Sequence, residues 1–454
     1  MAQMIGQEPN RSRISATELQ AIAGRHQAFL RGQAGGMRAM LKLRDLSHMD
    51  LSGLDLTDAD LSGAKLFGTR LTRANLRQAN FYAADLRLAN LEGADLRRAD
   101  LRGACLRGAV LTEAILADCD LRDGTIMHVR ANGDVTPHEF EAIQVSTEMS
   151  VATIRAADLS RARVSNAFIV QTDLTDAILR GTKFIRANLT NSNLTGCDLQ
   201  GADLREANLS GAKLNGANLS GADLGATRFM SADLIGVIMD DATRAVANLA
   251  GAVTCRTLGE DGRDLTHILE DHRQWVDSQG KRGMRADLSG VDLAGQDLSG
   301  RTLSAALMHC TMLRGANLSG AILPMADLSL ADLRDADLTG TDLRGASLER
   351  TTLTGARMAG AEIGPVQIQS NHTRLWSANL LRARFDGADL RRADMRRAVM
   401  TQASLTGADL SGANLAGASM VNADLSGARC EGIDLTDADL TDTRSLGAIG
   451  LPRR

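Results

Sequence analysis

Ala94-Asp95-Leu96-Arg97-Arg98-Ala99-Asp100-Leu101-Arg102-Gly103 is the stretch that decides the fold. It holds two words of five residues, each ordered small, acidic, leucine, polar, polar. A period of five fits neither a helix nor a strand that alternates along its whole length. Within one word, though, the alanine and the leucine are two apart, so both point to one side of a short extended piece. The remaining three residues read as a solvated corner. Bending after every such piece winds the chain about an axis. Leucines then stack inside, and alanine leaves room for the bend.

Outward from this stretch the word recurs 66 times, with 65 of the 66 centres apolar and alanine at 47 of the positions two before a centre. The centres run in four blocks, Leu51 to Ile126, Ile154 to Leu249, Leu288 to Ile368 and Leu380 to Leu440, with Arg244 the one polar centre. This A-(D/N)-L-x-x pattern resembles the pentapeptide-repeat family over about three quarters of the chain. The resemblance implies an all-β solenoid, a right-handed quadrilateral β-helix with four words to a square turn. It also implies a chain without chemistry of its own, because the repeat is a building material. At the spacing of paired strands the words would make about 16 turns, on the order of 80 Å if unbroken.

Composition agrees with a coil. At 454 residues the chain is too long for one ordinary core, and a solenoid escapes that limit because each turn touches only its neighbours. Aromatic residues make up 2%, as a narrow Leu/Ala interior requires. A net charge of −4 selects neither nucleic acid nor an anionic membrane. No apolar run has the length of a membrane span, and the first fourteen residues lack the hydrophobic stretch of a secretion signal. The six cysteines are scattered without a CxxC pair. Cys119 and Cys197 take the small inward position and Cys430 a centre, so core packing in a reducing cytoplasm is expected, with no metal, no cofactor and no disulfide role.

The interruptions change the register of the centres. Ser15 to Leu30 reads as an amphipathic helix with a Ser15/Glu18 capping box and Leu19, Ile22, His26, Phe29 and Leu30 on one face. Asp264 to Val276 reads alike, with Leu265, Ile268, Leu269, His272, Trp275 and Val276 as its stripe. The two match, Leu19 with Leu265, Ile22 with Ile268, His26 with His272 and Phe29 with Trp275. After a one-residue gap, Gly36-Met37-Arg38-Ala39 matches Gly283-Met284-Arg285-Ala286. The chain therefore reads as two tandem halves, each a helix leading into a coil. A third helix is expected after Thr136, where Thr136-Pro137-His138-Glu139 offers an N-cap, a proline at the first helical position and a capping-box Glu. Gln369 to Ser377 reads as a loop carrying Trp376.

The resulting plan is a helical cap over 1–45, repeat blocks over 46–126, 153–254, 286–368 and 379–445, helical interruptions at 127–152 and 255–285, a loop at 369–378 and a tail from 446 to 454. Amphipathic helices suit sealing an open coil end. The stripe Leu265, Ile268, Leu269, His272 and Trp275 could instead face a partner, helix in groove. His26 and His272 are duplicated but stand alone, without a second ligand at metal spacing, so packing is the expected role.

No catalytic motif stands out, and the evenly spread Asp residues read as corner hydrogen-bonders. No enzyme activity is expected. The surface carries one pattern. Between Arg70 and Arg107 lie eight arginines against four acids, and Arg391, Arg392, Arg396 and Arg397 repeat the theme. With four words per turn Arg77 lies beside Arg97 and Arg87 beside Arg107. Exposed pairing with the Asp ladder is one reading. The other is a partner-binding face made of Arg77, Arg87, Arg97, Arg98, Arg102, Arg107, Arg391, Arg392, Arg396 and Arg397. Nucleic acid fits poorly, since no aromatics interleave with the basic residues. Basic early turns meeting an acidic C-terminus would allow self-association.

The function expected is a non-enzymatic structural scaffold that binds a protein partner as a rigid rod. The alternatives are a DNA mimic that protects a type II topoisomerase such as gyrase, implied by some family members, and a translocated bacterial effector. The first alternative calls for an acidic coil, and Lys183, Arg186, Arg205, Lys213 and Arg228 interrupt any acidic face here.

Overall fold

The computed structural model describes residues 12–125, 127–129, 135–137, 144–258, 264–368 and 374–452. The chain divides into two compact units, residues 1–233 with 237–253, and residues 234–236 with 254–454.

Each unit is a coil. Parallel bridges join residues twenty apart, as in Asp50↔Arg70, Asn75↔Asp95 and Asp95↔Ile115 in the first unit and Asp297↔Asn317 and Asn317↔Asp337 in the second. Twenty residues are four words, so each word lies directly over the one a turn later. Two backbone bonds build every rung. The N–H of the centre Leu76 donates to the Asp95 carbonyl at 2.7 Å, and the N–H of Asp95 donates back to the Ala74 carbonyl at 2.9 Å. The right-handed quadrilateral β-helix is what the resemblance to the pentapeptide-repeat family implies for this ladder.

The corner follows from the same word. The N–H of Ala99 returns to the Leu96 carbonyl at 2.9 Å, and the residue between them that ends the word, Arg98, has φ of 61°. A turn with this bond and a left-handed third residue is type II geometry, which favours Gly there. Glycine fills many of these corners, such as Gly103 and Gly211, but arginine, aspartate and asparagine occupy others. The centres are sealed inside: Leu96 and Leu209 are both 0% exposed. Each such leucine contributes about 2 kcal/mol of apolar burial. Where alanine is replaced by Thr, Ser or Cys, the side chain donates to the centre carbonyl of the preceding turn. Thr69 Oγ1 reaches the Leu46 carbonyl at 2.8 Å, Thr182 Oγ1 that of Leu159 at 2.7 Å and Cys119 Sγ that of Leu96 at 2.8 Å. The inward position thus takes a small polar group only because a second lone pair on that carbonyl is open.

The coil begins earlier than Leu51: Leu41 and Leu46 are already buried centres on the ladder. Helix α1 (Ala16–Leu30) precedes it, with Ser15 accepting the Glu18 N–H at 3.1 Å as N-cap. The word centred on Arg244 does not form. Helix α2 (Asp241–Val246) replaces it, because Asp240 caps the segment by accepting the Thr243 N–H at 2.7 Å. Helix α3 (Leu265–Asp277) opens the second unit with Asp264 as cap.

The interruption at 127–152 contains no helix in its described part. Strands β1 (Gly124–Thr125) and β4 (Gln144–Val145) pair antiparallel, and so do β2 (Met127–Val129) and β3 (Val135–Pro137). Thr136 and Pro137 therefore lie in a strand rather than at a helix start, and His138 to Ile143 lie outside the described residues, as does Ile126. The reason is closure. Cys105 bridges Glu148, a step of 43 in place of 20, so the chain must leave the coil and return to the same corner. Adjacent ends running in opposite directions favour an antiparallel pair. The second insertion behaves alike. Ser347 bridges Asn379, a step of 32 in place of 20, and β5 (Val366–Ile368) pairs antiparallel with β6 (Arg374–Trp376). Ile368 is thus a hairpin residue and not a repeat centre. No helix among the described residues is long and apolar enough to cross a membrane.

Candidate interaction surface

Asp before a centre and Arg after it are two apart and flank an inward leucine, so both side chains project outward together. The structure joins them in a fork. Asp95 Oδ1 accepts from Arg97 N at 3.2 Å and Nε at 2.9 Å, while Oδ2 accepts from the terminal nitrogen at 2.5 Å. Arg87 with Asp85, Arg102 with Asp100, Arg391 with Asp389 and Arg396 with Asp394 repeat the arrangement. The forked guanidinium holds the Asp389 and Asp394 carboxyls below their ordinary range, through its hydrogen bond first. At some words where Ser or Thr follows the centre, its hydroxyl takes the place of arginine, as Thr57 does on Asp55 at 2.6 Å.

Arg77 follows an asparagine and has no fork of its own. Its Nε crosses to Asp95 of the next turn at 2.6 Å, so Arg77 and Arg97 meet on one shared carboxylate. Arg87 lies 5.7 Å from the Phe67 ring and Arg102 5.4 Å from the Tyr82 ring, each aromatic a turn earlier. Among the described residues, Arg98, Arg107, Arg392 and Arg397 make no side-chain hydrogen bond or ion pair, and all four are exposed. Arg98, Arg392 and Arg397 sit at corners, beyond reach of their own Asp, and Arg107 follows Cys105 instead of an acid. The ten arginines therefore sort into five forked, one shared and four uncommitted. The spacing Asp-Leu-Arg carried that distinction in the sequence.

The helix stripe faces its own coil. Leu269 and His272 are buried, and Leu265 and Ile268 pack on the cluster that begins with Ala286 and Leu288. His272 Nδ1 accepts the Ala286 N–H at 3.0 Å, and its ring stacks on Trp275 at 5.7 Å. The first unit repeats each part. His26 Nδ1 accepts the Ala39 N–H at 3.0 Å, and its ring stacks on Phe29 at 5.8 Å. Gly36 and Gly283 are required where chain and helix cross, since a Cβ would stand 2.3 Å from Phe29 N and 2.1 Å from the Asp271 carbonyl. Arg38 and Arg285 then each reach a corner carbonyl one turn on, Asp58 and Ala305. Burial pushes the pKa of both histidines down, and each Nε2 lacks a well-formed partner. The duplicated histidine is a latch for the cap.

A groove of about 610 Å³ on the first unit is lined by Arg186, Asn188, Glu206, Asn208 and Arg228. Among the described residues no group of His, Cys, Asp or Glu is placed to hold a metal ion. Burial raises the Cys119 thiol to about 12 and that of Cys430 to about 11, far from a nucleophile's range.

A ladder of twenty-residue turns built from A-(D/N)-L-x-x words defines a repeat class. The model described as pentapeptide repeats matches residues 45–73, 74–112, 157–196, 187–229, 207–243, 286–324, 326–363, 371–402 and 403–442. The chain belongs to the pentapeptide-repeat family. No curated protein matches it. Among solved structures it is similar to full-length QnrB1, a plasmid-mediated fluoroquinolone resistance protein, at 19% identity over 46% of this chain and 94% of that one, with a TM-score of 0.30. HetL, involved in heterocyst differentiation regulation in the cyanobacterium Nostoc sp. strain PCC 7120, is 23% identical over 94% of this chain and 98% of its own, with a TM-score of 0.14. A pentapeptide repeat protein of the Arabidopsis thaliana thylakoid lumen is 34% identical over 23% of this chain and 68% of its own, with a TM-score of 0.14. At TM-scores this low the similarity says nothing of function.

Proposed function

We propose that this protein is a non-enzymatic scaffold, built of right-handed quadrilateral β-helices, that binds a protein partner through the arginines its own ladder leaves uncommitted. The observation that carries this reading is the fork. Asp85, Asp95, Asp100, Asp389 and Asp394 are each held by an arginine of the same word, so the chemistry of the surface is largely turned on the coil itself. Arg98, Arg107, Arg392 and Arg397 stand outside that scheme and are the charges a partner would meet. Thiols that act as hydrogen-bond donors to backbone, as in Cys119 and Cys197, suit a reducing compartment such as the cytoplasm.

Cross-linking and affinity isolation from the source cell test this. The chain is compared with Arg98→Glu/Arg107→Glu and with Arg392→Glu/Arg397→Glu. One pair is expected to lose a specific partner with the fold intact. Identical partners in all three samples would make these arginines ordinary surface.

The competing reading is a topoisomerase-directed DNA mimic. A mimic needs a continuous negative face, and the forks neutralise the carboxylates that would supply it. In a gyrase supercoiling assay the chain is expected to leave both supercoiling and quinolone inhibition unchanged, and protection of the enzyme would reverse the order of the two readings.

A further inference from the structure

We infer that the β5–β6 hairpin and the coil corner it springs from form a docking surface for an acidic peptide segment bearing large apolar side chains, supplied by another protein. This rests on the scaffold reading and names the place and the chemistry of binding.

The coil does not need this hairpin. Beneath it the ladder closes as if nothing were inserted: Leu348 N–H donates to the Asn379 carbonyl at 2.7 Å, and Asn379 N–H to that of Ala346 at 2.9 Å. The step from Ser347 to Asn379 is twelve longer than a turn, and the described residues of that insertion supply no buried centre. What they supply to solvent is Leu375, 44% exposed, and Trp376, 48% exposed, one of two tryptophans in the chain. Trp376 is seated by a missing side chain, since a Cβ on Gly345 would stand 3.1 Å from its Cδ1 and 2.7 Å from Val366 Cγ1. One turn above Gly345 on the same corner lies Met325, 43% exposed, and Ile322 of the same word is 42% exposed. An interior that hides its leucines completely thus shows four large apolar groups around one insertion.

Charge selects the occupant. Arg397 holds the corner one turn below the foot of the hairpin and Arg392 the corner before it. Among the described residues neither has a counter-ion, whereas the nearby Glu362 faces Arg344 at 3.4 Å and Asp394 is forked by Arg396. Their stems lie over Gly412 and Gly417, where added Cβ atoms would meet Cγ at 3.5 and 3.3 Å. From Met325 to Arg397 is about 14 Å of coil at the strand spacing, the reach of a short segment. Carboxylates on that segment would meet the arginines while a large apolar side chain packs against Trp376. A single aromatic among aliphatic neighbours offers no stacking series for nucleic-acid bases.

Random twelve-residue peptides displayed for selection on the whole chain test this. The strongest are measured by fluorescence anisotropy against the wild type, Trp376→Ala, Arg392→Ala/Arg397→Ala and an in-register excision of residues 366–377. Selected peptides are expected to carry Asp or Glu beside Leu, Phe or Trp. Trp376→Ala should weaken binding tenfold or more, and the double arginine variant should weaken it in a way that added salt erases. The excision should abolish binding without moving the thermal melt. If selected peptides bind the excised chain equally, the site lies elsewhere and this inference fails while the scaffold reading stands. Selection of no peptide, or tighter binding of single-stranded oligonucleotide than of any peptide, overturns it as well, and the cross-linking experiment then judges the scaffold reading alone.

Discussion

His26 and His272 hold their caps only as neutral imidazoles, because Nδ1 must accept a backbone N–H and a second proton would sit on that same nitrogen, against the donor. The Thr57 backbone, Asp55 and Asp58 favour the charge of His26, while Arg38 opposes it. Arg285 opposes the charge of His272, which the Ser304 backbone favours. Burial outweighs these and lowers both pKa values below the unfolded value near 6.5. The unfolded chain therefore takes up the proton first. Stability from each cap is complete above about pH 6.5 and is lost as pH falls through the lowered folded value. Hydrogen exchange at the Ala39 and Ala286 amides, corrected for its intrinsic pH dependence, is expected to quicken below pH 6. Equal protection at pH 7.5 and 5 would contradict the latch. His272→Ala should destabilise the second unit by about 2–4 kcal/mol, through a lost acceptor and a cavity, as read by urea unfolding. The pairing of the two histidines was legible in the sequence; their acceptor role was not, because the donors, Ala39 and Ala286, are inward alanines of the coil. The Asp–Arg fork was legible in principle, since residues two apart on an extended piece project together. The expectation of exposed pairing with the Asp ladder did not specify this path within a word.

At the scale of the element, corners decide. At several corners a bulky residue leans onto a glycine corner one turn later: Leu43 onto Gly63, Leu88 onto Gly108, Asn191 onto Gly211. Gly201 has open space around it, whereas a Cβ on Gly211 would meet Asn191 Oδ1 at 2.2 Å. Both have positive φ, so alanine at either costs about 1–2 kcal/mol of left-handed strain. Gly211→Ala should cost more than Gly201→Ala, and Asn191→Gly should remove the difference. Equal melting of the two single variants would show that the corners do not touch. The same scale explains why Thr136 and Pro137 lie in a strand. Thr136-Pro137 satisfies helix-start chemistry, but a loop whose ends are fixed side by side on a coil corner is constrained to return antiparallel. Local capping signals carry no information about where the ends must meet.

Across the whole molecule, each unit pairs a helix latch with a coil, and the repeat made that plan readable at once. Leu96, Leu209 and nearly every other centre are sealed, while Leu446 on the last described turn is 87% exposed. Leu209→Ala should therefore cost about 2–5 kcal/mol, and Leu446→Ala under about 0.5. Partner chemistry was not readable from the words alone, because the Asp-Leu-Arg spacing tells which arginines are held and not what the others would meet. Stacking by twenties is the claim on which all of this depends, and the insertion in the first unit offers its sharpest trial. Cys105 to Glu148 spans 43 residues, so removing residues 124–146 brings the step to twenty, and removing one fewer leaves the chain a residue out of step. Amide exchange at Leu106 and Glu148, whose bonds close that rung at 2.7 and 3.2 Å, is the measurement. The account predicts full protection after the 23-residue excision and loss of it after the shorter one. Equal protection in both, or loss in both, would contradict it.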